Sequence, residues 1–205
     1  MTKKKVLITI IIILLIGLAI LSVLYFKSKK SDNSKKSIKT VEIIDGYGYS
    51  IKTNDSKLKR EKFKELKEIL NEEPIDNEKY ALKIAEIFAI DVYDLVTKNS
   101  KYDVGGLDYV LPESKDNLKL ILQDTLYSNL QDNFDKDRKQ KLPEVTNATS
   151  SILKRKTYAL NKKNYDGYEL KVIIDYKEDL GYDNTIVVTV IEKEDKLFVV
   201  AVQPM

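Results

Sequence analysis

The hydrophobic pattern along the chain opens with one long apolar segment. Residues Val6–Phe26 are 21 consecutive positions without a charged side chain, and three lysines lie close to each end of the segment. A helix of that length rises about 1.5 Å per residue and crosses the ~30 Å hydrocarbon core of a bilayer. A cleaved signal peptide has a shorter apolar core and a small-residue cleavage site, which this segment lacks. The pattern predicts a single transmembrane helix over 6–26.

The orientation of this helix does not follow from charge, because both of its flanks are basic. A short tail, residues 1–5, ahead of one span and a folded body favours a cytoplasmic tail and an extracytoplasmic body at the cell membrane. Residues 27–40 are rich in Ser and Lys and cannot bury a core, so 27–49 is predicted to be a basic linker. Residues 50–205 are predicted to form one folded domain.

Two helices are predicted in the first half of this domain. The first should begin with Asp55 or Ser56 as its N-cap. The second should begin with Asp76 as its N-cap and run to about Lys98. Its segment 84–96 is apolar on nearly all sides, which is typical of a helix buried on most of its faces.

A third helix and then a change of period are predicted in the second half. After Pro112, apolar residues recur at every fourth position, which indicates a helix. They are Leu118, Leu122, Leu126, Leu130 and Phe134. From about residue 152 the pattern favours strands, with turns at 164–167 and 194–195. The predicted strands are 152–162, 168–176, 185–191 and 197–202.

Helices followed by strands predict an α+β fold. About three helices should pack on a curved antiparallel sheet of about four strands. The predicted core residues are Ile84, Phe88, Leu122, Leu126, Val188 and Val200.

The amino-acid composition excludes several kinds of catalytic, metal and nucleic-acid-binding site. The chain has no Cys and no His, so thiol nucleophiles, His-based triads and the usual zinc sites are excluded. Residues 133–144 have the acidic spacing of a calcium loop, but Arg138 stands where the sharp turn needs glycine. No metal and no cofactor are therefore predicted. Residues 31–205 hold 29 basic and 32 acidic side chains, a net charge of −3, which argues against a nucleic-acid partner.

Asp91 and Asp94 are the strongest candidates for a functional site. They lie three residues apart on a predicted buried helix, where a carboxylate needs a partner or a raised pKa. Pairing with a Lys, a Tyr or a backbone N–H is the favoured interpretation. The alternative is a ligand-binding pocket with a perturbed acid. Other side chains then expected to line the same space are Tyr93, Tyr102, Asp108, Tyr109 and Tyr127.

Two segments carry a resemblance to known proteins. DVYDLVTKNSKYDVGGLDYVLP and DTLYSNLQDN…RKQKLPEV resemble segments of membrane-anchored hypothetical proteins of low-GC Gram-positive bacteria. The order of helices before a long meander resembles the nuclear transport factor two-like superfamily over about residues 50–205. That resemblance implies a cone-shaped α+β fold. Anchored members of the superfamily include the inner-membrane scaffold subunit of type IV secretion and conjugation channels, which shares the layout of tail, span and domain.

The resemblance also bears on function. Enzymatic members usually carry an Asp–His or Tyr–Asp set in a pocket, and this chain has no His. We therefore expect a non-catalytic, membrane-tethered interaction or scaffold domain at the bacterial cell envelope, in a secretion or conjugation assembly. The expected partners are the lipid bilayer and other membrane or envelope proteins, and an oligomer is compatible with the sequence. The alternative is a small-ligand-binding protein or acid–base enzyme that uses Asp91 or Asp94 with tyrosines.

Overall fold

A computed structural model describes residues 38–160 and 162–205 of the chain. The predicted span 6–26 and its tail lie outside the described residues. Within those two ranges, no helix is long and apolar enough to cross a membrane. The described residues form an α+β fold with three helices and a four-stranded antiparallel sheet, which confirms the predicted fold class.

The helices begin where their capping residues predict. Helix α1 is Lys57–Leu70, and the Ser56 hydroxyl accepts a hydrogen bond from the Lys59 N–H at 3.3 Å. Helix α2 is Asn77–Tyr93, and the Asp76 carboxylate accepts from two N–H groups of its first turn at 3.1 Å. These side chains satisfy amide groups that have no partner inside the helix.

Both later helix ends come earlier than the sequence pattern predicts. Helix α2 stops at Tyr93, and a short 3₁₀ turn, Leu95–Thr97, follows it. Helix α3 is only Lys115–Asp124, although the apolar spacing continues to residue 134. The chain leaves α3 at Thr125 and turns so that Tyr127 becomes fully buried. A tertiary contact therefore overrides the helical period there.

Two sheets are present in the described chain. Strands β1 (Thr40–Ile43) and β2 (Ser50–Lys52) form a small antiparallel pair. The main sheet has the order β3-β4-β5-β6, in which neighbouring strands are consecutive in sequence and antiparallel. Its strands are β3 Val145–Leu160, β4 Lys163–Tyr176, β5 Thr185–Lys193 and β6 Lys196–Pro204.

One predicted turn is wrong and the other is confirmed. Residues 164–167 do not turn the chain but lie within β4, where Tyr165 pairs with Tyr158 and Gly167 with Lys156. The strands β3 and β4 instead continue until Leu160 pairs with Lys163. Glu194 and Asp195 do form the β5–β6 turn, both with positive φ, as in the two-residue turns that suit twisted hairpins.

The core lies between α2 and the sheet, and most of its predicted residues are buried. Ile84, Phe88, Leu122 and Val188 are in it. Leu126 is only partly buried at the edge of the core. The prediction for Val200 is wrong, because its side chain is 38% exposed. Thr189 pairs with Ala201 and Val190 with Val199, so Val200 is the extra residue of a β-bulge.

The folded region also begins earlier than residue 50. Strand β1 lies inside the predicted linker 27–49, and both Ile44 and Tyr49 belong to the core. The Tyr49 hydroxyl donates to the Leu197 carbonyl at 2.8 Å and lies 2.6 Å from the Tyr80 hydroxyl. The Tyr80 hydroxyl in turn accepts from the Leu197 N–H at 3.3 Å. Tyrosines from the first part of the domain thus hold the start of its last strand.

Candidate functional site

Four buried charged side chains form a closed cluster, which we call the ion network: Asp55, Lys59, Asp91 and Lys98. The Asp91 Oδ1 atom lies 2.9 Å from both the Lys59 and the Lys98 Nζ atoms. Lys59 also lies 3.0 Å from Asp55 Oδ1. All four side chains are at most 6% exposed. Two carboxylates therefore face two ammonium groups with little access to solvent.

The remaining carboxylate oxygens of the ion network accept main-chain hydrogen bonds. Asp55 Oδ2 accepts from the Lys52 N–H at 2.7 Å, and Asp91 Oδ2 accepts from the Gly106 N–H at 2.8 Å. A buried charge is stable only when it is paired and its hydrogen-bonding capacity is used. The network meets both conditions, and it joins the start of α1, the end of α2 and the loop after α2.

The pKa values of the network follow from this pairing. Burial alone would raise the pKa of Asp91, but the Lys59 and Lys98 ammonium groups and the Gly106 N–H hold it well below its usual range. Burial alone would lower the pKa of Lys59 and of Lys98, and the carboxylates raise both instead. Asp91, Lys59 and Lys98 therefore stay charged at neutral pH. The favoured interpretation of Asp91, a structural pair with lysine, agrees with this geometry.

Tyr127 joins Asp91 at the Gly105–Gly106 turn. Its hydroxyl donates to the Val92 carbonyl at 2.8 Å and accepts from the Gly105 N–H at 3.3 Å. A Cβ atom on Gly105 would lie 1.8 Å from the Asp91 carbonyl oxygen, so only glycine allows the loop to approach α2 this closely. Tyr127 and Asp91 are thus anchors of one loop.

Asp94 is buried but lies outside the ion network. Its Oδ1 atom accepts from the Val145 N–H at 3.3 Å, and its Oδ2 atom has no hydrogen-bond partner among the described residues. Burial raises the pKa of Asp94 to about 6, against the opposing effects of the Ser56 hydroxyl, the Val145 N–H and Lys98. The fold therefore disfavours the ionisation of Asp94.

We expect Asp94 to make the stability of the domain depend on pH. Its pKa is about 6 in the folded state against an ordinary value of 3.8, so the folded state binds more protons between these values. Asp94 therefore causes the free energy of unfolding to fall as the pH rises from about 4 to 6. Above about 6, Asp94 causes no further change in the free energy of unfolding.

Urea unfolding of the wild type and of Asp94→Asn between pH 4 and pH 8 measures this contribution. The difference between the two free energies of unfolding should change between pH 4 and pH 6 in favour of the Asn variant. A difference that is the same at every pH would contradict the assignment.

The other predicted site residues are dispersed. Tyr93 is half-buried beside an apolar groove, and Tyr102 is 67% exposed on the loop after α2. Asp108 accepts a hydrogen bond from the Ser50 hydroxyl at 2.6 Å. The buried Tyr109 hydroxyl has no hydrogen-bond partner in the described part of the chain. The structure therefore brings Asp91 and Tyr127 to one loop but does not gather the seven predicted residues around one cavity.

The sequence patterns did not predict an apolar groove that the described residues form. It lies between α2, α3 and β6 and has a volume of about 380 Å³. Apolar side chains supply most of its lining, and the polar ones are Tyr93, Ser114 and Asn117. Its lining residues on the sheet are Val199, Val200, Ala201, Val202 and Pro204. Among the described residues, no carboxylate or ammonium group lines it.

Strand β6 forms one wall of the groove and is also the last strand of the sheet. The Val199 N–H donates to the Tyr109 carbonyl at 2.8 Å, and Val199 forms a bridge with Val110. Beyond that bridge, on the edge of β6 that faces away from β5, no described strand lies beside residues 200–204. An unpaired strand edge with an apolar groove beside it is a template for an added strand.

The described residues offer little for metal chemistry. They contain no group of three or more acidic side chains placed to hold a metal ion. Arg138, which occupies the glycine position of the calcium-like spacing, instead donates to the main-chain carbonyls of Lys98, Val96 and Gln131. Its role is to fix the loop before β3.

Comparisons with family models, with curated proteins and with solved structures find no match for this chain.

Proposed function

We propose that the chain is a membrane-tethered, non-catalytic binding domain, and that the groove beside β6 receives an extended apolar segment of another membrane or envelope protein. The groove carries this proposal. Its lining is apolar, and its wall is a strand edge with free main-chain groups. An extended segment can pair with that edge and place alternate side chains in the groove.

The ion network supports the non-catalytic part of the proposal. Acid–base catalysis needs a titratable group in reach of a substrate. Asp91 is saturated by two lysines and a main-chain N–H, and it does not line the groove. The order of helices before the meander supports a nuclear transport factor two-like arrangement, and the apolar run 6–26 supports the tether.

A small apolar ligand is the second candidate occupant. A volume of about 380 Å³ is within the range of small-molecule sites, which is about 300–1,000 Å³. Such a ligand would use the apolar lining but not the main-chain groups of β6. This difference allows the two candidates to be separated by experiment.

The proposal is tested by selecting peptides from a random library on the full chain held in lipid nanodiscs. Selected peptides should alternate apolar and other residues, because a strand presents every second side chain to one face. N-methylation of alternate residues should weaken binding at least tenfold, since it removes donors to β6. A small ligand that only fills the groove would give no such dependence.

Two matched variants locate the binding site. Val202→Lys puts a charge into the groove, whereas Ile173→Lys puts the same charge on the opposite face of the same sheet. The two wild-type side chains are similarly exposed, 36% and 41%. Binding should be lost in Val202→Lys and retained in Ile173→Lys. Equal binding by both variants would contradict the assignment of the groove.

A further inference from the structure

The β3–β4 hairpin extends beyond the rest of the sheet. Strand β4 pairs with β5 only from Gly167 onward, whereas its pairing with β3 continues to Lys163. At about 3.4 Å per residue, the unsupported part is about 14 Å long. We call residues 154–160 and 162–166 the basic ribbon. Its two strands pair only with each other over most of this length, so both of its faces are open to contact.

The basic ribbon has the opposite charge to the rest of the domain. It carries five basic side chains and one acidic one, a net charge of +4. Residues 38–205 as a whole hold 27 basic and 31 acidic side chains, so the part outside the ribbon has a net charge of −8. An anionic surface therefore attracts the ribbon and repels the remainder, which favours one orientation of the domain.

The register of the hairpin gathers basic and aromatic side chains on one face. Tyr158 lies opposite Tyr165, and Leu160 lies opposite Lys163. Residues that are directly opposite share a face, and alternate residues along a strand share it too. Lys156 therefore lies on this face as well, with its amine 4.8 Å from the centre of the Tyr158 ring.

Not all cations of the ribbon are free to bind a partner. Lys154 lies 3.8 Å from Glu169, and Arg155 forms an ion pair with Glu78. Within the described ranges, Lys156, Lys162 and Lys163 form no ion pair, and all three are exposed. Lys156 and Lys163 thus share one face of the ribbon with two tyrosines and a leucine, and Lys162 lies in the turn beside them.

We propose that this face of the basic ribbon binds the headgroups of anionic lipids. Lysines are attracted to an anionic membrane surface, each by about fivefold in affinity, and tyrosine rings favour the headgroup level. The acidic charge of the remaining domain disfavours nucleic acid, which would need a broader basic face. The inference rests on the tether in the proposed function, because a tether keeps the ribbon within reach of a bilayer.

The experiment uses a single introduced cysteine, since the chain has none of its own. Leu160→Cys places a fluorophore on the proposed lipid-binding face of the ribbon, and Asp135→Cys places one on the loop before β3 as the control. Each full-length labelled protein is held in nanodiscs of phosphatidylcholine, with or without about one third phosphatidylglycerol. Iodide quenching measures the exposure of the fluorophore to water.

We expect quenching of the ribbon fluorophore to fall at least twofold in the anionic discs at 50 mM salt, and to recover at 0.5 M salt, where exposed charges are screened. The control fluorophore should not respond. Lys156→Glu with Lys163→Glu should remove the response, whereas Lys101→Glu with Lys139→Glu, the same charge change elsewhere, should leave it.

Three results would overturn the inference. Equal quenching of the ribbon fluorophore in both discs would show that anionic lipid is not bound. Protection by a double-stranded oligonucleotide but not by lipid would make nucleic acid the ligand. A chain that does not stay with the discs would overturn the tether and this inference together. A chain that stays with the discs but whose ribbon fluorophore is quenched equally in both would overturn only this inference, and the proposed peptide binding in the groove would stand.

Discussion

Asparagine in place of Asp91 is expected to lower the free energy of unfolding by about 3–5 kcal/mol, because it leaves buried ammonium groups without their shared counter-charge. Lys59 keeps Asp55 at 3.0 Å, but Lys98 has no other carboxylate within ion-pair distance in the described structure. Urea unfolding at pH 7 measures the loss. The pKa of Asp91 is held below its usual range, so its contribution is present at pH 7 and is lost only as the pH falls below about 4.

Two further variants show whether the loss of unfolding free energy comes from the ion network or from any removal of a carboxylate. Asp135→Asn removes a carboxylate that is exposed, and it should change the free energy of unfolding by less than about 0.5 kcal/mol. Lys98→Met combined with Asp91→Asn removes the uncompensated charge and should be more stable than Asp91→Asn alone. A loss below about 1 kcal/mol for Asp91→Asn would show that the network is not closed to water.

Phe88→Ala is expected to cost about 3–5 kcal/mol of unfolding free energy, the usual range for a large side chain removed from a core. Phe88 is 2% exposed, and its ring occupies the space that a Cβ atom on Gly106 would need. Its removal would therefore leave a cavity between α2 and the loop that carries Gly106. Chemical denaturation at neutral pH measures the change.

Val200→Ala is the control for this second variant. Both residues line the groove, but Val200 is 38% exposed at the β-bulge, so its truncation should cost less than about 1 kcal/mol. If Phe88→Ala and Val200→Ala cost the same, then Phe88 is not a core residue and the position of α2 on the sheet is wrong.

Local signals in the sequence account for the parts of the fold that were predicted correctly. Ser56 and Asp76 are caps whose side chains bond amide groups two or three residues ahead, so they act within one turn of chain. The β5–β6 turn at Glu194 and Asp195 is likewise set by a few neighbouring residues. Such features depend on short segments and can be read without knowing what packs against them.

The errors arise where distant contacts decide the outcome. The apolar spacing through Leu130 continues the period of α3, yet the helix stops because Tyr127 is buried against the end of α2. The segment from Asn164 to Gly167 has the composition of a turn, but pairing with β3 keeps it extended. In both places the energy of tertiary or cross-strand contacts exceeds the local preference.

The candidate site was predictable only in part for the same reason. A carboxylate on an apolar helix signals that Asp91 needs a partner, and the spacing of Asp55 and Lys59 is that of a helical ion pair. That Lys59 also reaches Asp91 depends on how α1 packs against α2. The groove depends on how α3 packs near β6 and on the bulge at Val200. The hydrophobic periodicity of the sequence predicts neither of these features.

The hydrogen bonds that join Tyr49 and Tyr80 to Leu197 also determine when the domain can finish folding during synthesis. Tyr49 and Leu197 are 148 residues apart, so their contact closes nearly the whole domain into one loop, and the entropy cost of closure grows with the logarithm of loop length. On the ribosome, α1, α2 and the β3–β4 hairpin emerge before the strand that completes the core. Because Tyr49 and Tyr80 need Leu197 at the start of β6 for these hydrogen bonds, the domain closes only after that strand has left the exit tunnel.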